Sequence, residues 1–317
     1  MSTGENRAPE GLLSRRAFVA SSLGVVAATG CNNWPTLRQS NPFSGQAQVP
    51  QAVPTGAELA SYLNQNSKRI QSLEVRELNM DASQRLQTIG LQGQMICQKP
   101  RNFRLSARMG GNTMVDLGSN NEEFWYWIAK SEPPYLFHCS YNDLPRVPPE
   151  RMPFPFQPEW VMETLGLAEL DPSKNYQVIT KPQSFELIEQ TRSAQGQPVR
   201  KVTVFSRAPS SVQVTSHSLQ DAQGKEMCAA YVTDVQVDAA SGAVIPRMVQ
   251  LVWPAEKIKL KLRLNEIVVN QALAPERTAR LFSKPVLKDV RDYDLAQGTA
   301  RPTGNIRQMG GPTRTYR

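Results

Sequence analysis

The sequence predicts a mainly β protein with a few short helices, built on an extended antiparallel sheet. Three observations predict it. Long segments alternate apolar and polar residues with a period of two, turn residues of hairpin type separate them, and one strand-like segment carries large apolar side chains on both faces. Composition excludes the competing classes. With 317 residues of which 40% are hydrophobic, the chain is too apolar for a disordered protein. Its 19 glycines are too sparse for collagen, and no heptad persists.

The first segment is read as an export signal. Ser14-Arg15-Arg16-Ala17-Phe18-Val19 carries a twin-arginine signature, followed by an apolar stretch from Ala17 to Gly30 that is too short for an ordinary transmembrane helix. The stretch ends in Ala28-Thr29-Gly30-Cys31, which resembles the lipobox of bacterial lipoproteins. That resemblance implies cleavage before Cys31 and acylation of it, so that residues 1–31 are a signal and the acyl chains are the membrane anchor. Asn32 stands where an aspartate would favour inner-membrane retention, which favours the outer membrane.

The signal carries Arg7, Arg15 and Arg16 against Glu5 and Glu10, so its removal takes the formal charge from +8 to about +7. For an exported chain this basic excess points to anionic headgroups or wall polymers and away from nucleic acid. Residues 32–54, rich in Asn, Gln, Ser and Pro, read as a flexible tether. Residues 297–317, with Arg301, Arg307, Arg314 and Arg317 and no apolar period, read as a disordered basic tail. The folded domain is then 55–296.

Within it, Thr55-Gly56-Ala57-Glu58 is a capping box, and Leu59, Leu63, Asn66 and Ile70 recur at helical spacing, predicting an amphipathic helix over 56–72. From Leu73 onward the period is two. Phe103, Leu105, Ala107 and Met109 alternate with Arg104, Ser106 and Arg108, while Ile258, Leu260, Leu262 and Leu264 alternate with Lys257, Lys259, Lys261 and Arg263. Further strands are expected over 74–80, 85–98, 113–117, 123–129, 134–140, 176–180, 184–191, 199–206, 211–219, 227–237 and 245–253. Gly110-Gly111-Asn112, Ser119-Asn120-Asn121, Ala194-Gln195-Gly196 and Ala240-Ser241-Gly242 supply the connectors of a meander. Pro158 opens a second short helix ending at Gly166, and Pro275 a third ending near Phe282.

The segment Glu123-Phe124-Trp125-Tyr126-Trp127-Ile128 sends Phe124, Tyr126 and Ile128 to one face and Trp125 and Trp127 to the other. A sheet with one wet face does not suit it, so both faces need cover. Three cysteines remain after Cys31: Cys97, Cys139 and Cys228, without CxxC spacing. Export permits a disulfide between two of the three, and the sequence does not choose the pair; they are expected first as small buried residues, and the two histidines cannot make a usual zinc site. No metal or cofactor is expected. Gly-x-Ser-x-Gly, GxGxxG, Walker and HExxH motifs are all missing, and His138 and Cys139 would face opposite ways on a strand, so no catalytic residues are assigned and no enzyme is expected. His217, in a Ser-rich stretch, reads as a surface residue.

Gly93, Lys99-Pro100, Phe103-Arg104, the following hairpin, Asp116 and the Phe124-Trp125-Tyr126 strand together resemble the N-terminal strands of the LolA/LolB lipoprotein-localisation superfamily. Gly242, Pro246-Arg247, the alternating strands up to Asn270, Phe282 and Pro285 are similar to its C-terminal half. The resemblance implies an incomplete antiparallel β-barrel of about eleven strands, closed by helices around an apolar cavity for acyl chains. By position it makes Phe103, Arg104, Phe124, Trp125, Tyr126, Trp127 and Trp160 candidates for the cavity or its lid.

The expected function is that of an exported, lipid-anchored protein in the cell envelope. It binds lipid or lipoprotein acyl chains as a non-enzymatic carrier or acceptor, with an envelope protein as a further partner. The alternative is a structural or interaction lipoprotein with a filled core, and a third reading, a hydrolase, would need ionisable groups clustered in a cleft.

Overall fold

A computed structural model describes residues 53–84, 87–131, 134–152, 157–207 and 213–302. Arg15, Arg16, Cys31 and residues 32–52 of the expected tether lie outside them, as do residues 303–317.

The capping box forms as its residues dictate. The Glu58 N–H donates to Thr55 Oγ1 at 3.2 Å, and the Thr55 N–H donates to Glu58 Oε2 at 2.7 Å. The helix it starts, α1 (Gly56–Ser67), buries Leu59 and Ala60 and ends earlier than periodicity alone suggests. Then the sheet begins. β1 (Ser72–Gln84), β2 (Gln87–Gln98), β3 (Asn102–Met109), β4 (Asn112–Ser119), β5 (Glu123–Ile128) and β6 (Tyr135–Ser140) form one antiparallel meander. After α2 (Pro158–Thr164), a second meander runs through β7 (Tyr176–Lys181), β8 (Ser184–Arg192), β9 (Pro198–Ser206), β10 (Val214–Asp221), β11 (Glu226–Val237), β12 (Val244–Trp253) and β13 (Ile258–Val269).

One long pairing joins the two halves. β1 and β13 run antiparallel from Leu73 opposite Val269 to Gln84 opposite Ile258, so the first and last long strands meet in the middle of the sheet. After α3 (Pro275–Leu281), β14 (Arg291–Asp294) adds parallel to β6, and β15 (Thr299–Pro302) pairs with β14. The described sheet has 15 strands, more than the eleven or so implied by the family resemblance. It also extends to Pro302, into the segment read from composition as a disordered tail. Its outermost strands, β15 and β7, are not paired with each other, so the sheet is not closed.

Alternation makes one face apolar. Leu73, Val75, Leu78 and Met80 of β1 and Leu262 and Leu264 of β13 share a single buried cluster with Phe103, Leu105, Phe124, Tyr126, Trp160 and Trp253. Residues from β6 and from β9, at Phe137 and Val199, belong to that same cluster, which Trp160, Val161 and Met162 of α2 join. The β8–β9 turn touches the connector between β6 and α2, where Gln195 donates through Nε2 to Met152 Sδ at 2.8 Å. Cys97, Cys139 and Cys228 are buried, as expected of them, and all three are free thiols, so none of the pairings open to them in the sequence forms.

Candidate functional site

The aromatic strand divides as its period requires. Phe124 and Tyr126 enter the main core, where the Tyr126 and Phe137 rings stack with centroids 5.1 Å apart. Trp125 lies on the opposite, outer face and is wholly buried there. Its Nε1 donates to Asp116 Oδ1 at 3.2 Å, and the Arg104 guanidinium lies 5.4 Å above its ring. Gly118 makes room for the indole, since a Cβ there would fall 2.3 Å from Trp125 Cζ2. Arg104 also donates from Nη2 to Asp116 Oδ2 at 2.6 Å and from Nη1 to the Ser283 carbonyl at 2.8 Å. Asn120 Nδ2 donates to the Phe282 carbonyl at 3.0 Å, so the end of α3 is held over the outer face by polar side chains of β3 and the β4–β5 turn.

Phe103 is buried in the core, Trp127 is half-buried, and Trp160 of α2 packs edge-on against Trp253 with centroids 5.9 Å apart. The seven sequence candidates therefore fall into three places: the core, the outer face and α2. None lines the apolar cavity of the inner face.

That cavity, of about 80 Å³, lies between the two N-terminal helices and the far half of the sheet. Tyr62, Leu63 and Asn66 of α1, Glu163 and Thr164 of α2, and Leu170 after it form one side. Val214 and His217 of β10, Val232 and Val235 of β11, and Val244 and Pro246 of β12 form the other. Val235 is 40% exposed and marks the rim. Val237, 44% exposed, continues it on the same face, since Val235 and Val237 stand opposite Pro246 and Val244. Two larger hollows, of about 560 and 230 Å³, open on the outer face and carry charged linings including Arg76 and Arg108 in one and Glu74, Arg277 and Arg280 in the other.

α1 is fixed above the cavity by paired backbone contacts. Asn64 bonds both the carbonyl and the N–H of Leu170 at 2.6 and 2.8 Å, and Asn66 does the same to Val244 at 2.9 and 2.8 Å. α2 is held by apolar packing and two ion pairs, Lys201 Nζ to Glu163 Oε2 at 2.7 Å and Arg101 Nε to Glu159 Oε1 at 3.5 Å.

His217 is not the surface residue its Ser-rich neighbourhood suggested. It is 6% exposed, and its Nδ1 lies 3.2 Å from Thr203 Oγ1. A signal was present in the register: Leu219, two residues on, points into the core, so His217 must share that face, as Lys201 and Thr203 share the face of Val199 and Phe205. Burial holds the His217 pKa below its ordinary 6.5, opposed by the Glu163 carboxylate and reinforced by Lys201. Burial pushes the Glu163 pKa up, but the Lys201 and His217 charges and the Lys201 hydrogen bond outweigh it and leave the carboxyl below its usual range.

A pH effect follows with a defined sign. The unfolded chain protonates His217 near pH 6.5 while the folded chain resists, so stability is full above that pH and falls on acidification toward the lowered folded value. Melts between pH 7.5 and 5 should show a decline that the His217→Gln variant reduces, by up to about 1.4 kcal/mol per pH unit for one proton. Equal slopes in the two proteins would contradict it.

Comparison with known proteins gives similarities to solved structures at low identity. No family model matches the sequence, and no curated protein matches it. Among solved structures, the chain is similar to a DUF1329 family protein from Desulfovibrio piger, with 10% identity over 71% of this chain and 97% of that one and a TM-score of 0.47. It is similar to a candidate outer membrane lipoprotein-sorting protein domain from Vibrio parahaemolyticus, with the same identity and coverage and a TM-score of 0.48. It is also similar to a LolA superfamily protein from Nitrosomonas europaea, again at 10% identity over 71% and 97% of the two chains, with a TM-score of 0.43.

Proposed function

We propose that the chain binds acyl chains of lipids or lipoproteins on the inner face of its sheet, without covalent chemistry, as a carrier or acceptor at an envelope membrane. The observation that carries this reading is the cavity between α1, α2 and β10–β12, whose wall is Leu63, Leu170, Val214, Val232, Val244 and Pro246 with an apolar rim at Val235. Each methylene buried there gains about 0.8 kcal/mol. The cavity's 80 Å³ is far below the roughly 300–1,000 Å³ of a pocket that encloses a drug-sized ligand, so a chain enters by displacing cover. α2 is the element to yield, because α1 is tied to the β12 backbone by both bonds of Asn66 while α2 reaches the sheet through side chains alone. The Arg15-Arg16 signature and the Cys31 lipobox support export and anchoring through acyl chains on Cys31, with the outer membrane favoured and an envelope protein as a partner.

The test is uptake of a fluorescent fatty acyl probe by the purified chain, compared with Ala168→Trp, which fills the cavity from its wall. The wild type should bind saturably, and the folded variant should bind at least about tenfold more weakly. A wild-type protein that takes up no probe would leave the filled-core, structural role.

A further inference from the structure

The inner face is mostly apolar across both meanders, and its polar residues gather beside α2. Lys201 and Thr203 of β9 and His217 of β10 point inward there and are met by Glu163 from α2. Of the four, Glu163 and His217 line the cavity, while Lys201 and Thr203 stand behind them as their partners. Depth sets the two cavity-lining members apart from the rim: the His217 residue is 6% exposed and the Glu163 side chain 12%, against 40% for Val235, while the Lys201 side chain, 38% exposed, reaches solvent. The cavity thus has a greasy entrance and a hydrogen-bonding floor. A plain alkyl chain makes no use of such a floor, and a carboxylate and an imidazole facing hydrocarbon are costly.

The charges of the floor select the head. Glu163 and Lys201 neutralise each other at 2.7 Å, and across the strands Lys201 stands opposite Glu189. An entering carboxylate or phosphate would meet the Glu163 charge, and burial keeps His217 from supplying a cation to pair with it. An entering ammonium would meet Lys201. A hydroxyl or primary amide can donate to the Glu163 carboxylate and also bond the imidazole, whose Nδ1 is already engaged by Thr203.

We propose that the site takes a single-chain amphiphile with an uncharged hydrogen-bonding head, such as a monoacylglycerol or a fatty amide, bound head inward against Glu163 and His217. This rests on the acyl-binding reading above and narrows it to one ligand class.

The experiment is displacement of a fluorescent fatty acyl probe from the purified chain at pH 8 by four competitors of equal chain length: monododecanoylglycerol, dodecanamide, dodecanoate and dodecylamine. The two neutral heads should displace the probe at concentrations at least about tenfold lower than the carboxylate and the ammonium. In Glu163→Gln the Lys201 charge loses its ion-pair partner, so dodecanoate should gain most and the order should shift toward it, an effect that mere loosening of α2 would not produce. Binding of the probe with all four competitors equivalent, or with dodecanoate strongest in the wild type, overturns this inference and leaves acyl binding intact. Failure of the probe itself to bind overturns both. The wild-type ranking decides the matter even if Glu163→Gln does not fold.

Discussion

Replacing Arg104 with alanine should cost about 3–5 kcal/mol of folding stability, the usual penalty for removing one partner of a buried ion pair. The side chains of Arg104 and Asp116 are 18% and 7% exposed, so solvent does little to screen the loss. Asp116 would be left with the Trp125 indole N–H at 3.2 Å and no countercharge. The Ser283 carbonyl after α3 would lose its donor, and the indole would lose the guanidinium above its ring. Chemical denaturation measures the cost. The double variant Arg104→Met with Asp116→Asn should recover part of it, because no uncompensated carboxylate remains and the asparagine still offers an oxygen to Trp125. Acyl-probe affinity of the folded Arg104→Ala protein should match the wild type, since Arg104 lies on the face opposite the cavity. A stability within about 1 kcal/mol of wild type would show the pair to be ornamental, and lost affinity at retained fold would place Arg104 in the ligand site.

The two meanders were legible because each strand repeats its period over many residues. β13, with Leu260, Leu262 and Leu264 between lysines and an arginine, has one solution in which the apolar side is buried. β14 and β15 offered no such pattern: Arg291-Asp292-Tyr293-Asp294 is four residues long and mostly charged, and its pairing is with β6, far back in the chain. Their presence depends on the hydrogen-bonding edge that β6 leaves open, which is a tertiary fact. The candidate site shows the same divide. Aromatic residues drew attention to β5, and there burial is explained by packing, with Trp125 on Asp116 and Tyr126 on Phe137. The cavity assembles positions from Tyr62 to Pro246, whose proximity follows from the β1–β13 pairing and from the asparagine ties of α1. What alternation could have revealed was Lys201, Thr203 and His217, polar residues set on otherwise apolar faces.

Trp160 provides the other large effect, and its direction on binding separates two roles. Its ring is 5% exposed and packs against Trp253, and Trp→Ala changes in such positions cost about 3–5 kcal/mol. Phenylalanine should retain most of that, because it keeps an aromatic face toward Trp253 and removes a buried indole N–H that has no partner among the described residues. The consequence for ligand entry follows from where Trp160 sits. It fastens α2 to the sheet, while Glu163 and Thr164 of the same helix line the cavity and Trp160 itself does not. Weakening that fastening lowers the barrier to displacing α2. Stopped-flow mixing with the acyl probe should therefore show faster association for folded Trp160→Ala than for the wild type, with Trp160→Phe in between. Loss of probe affinity in folded Trp160→Ala, without faster association, would instead make the ring a contact of the ligand, as the family resemblance first implied, and would move the binding site from the β10–β12 wall toward the core beneath α2.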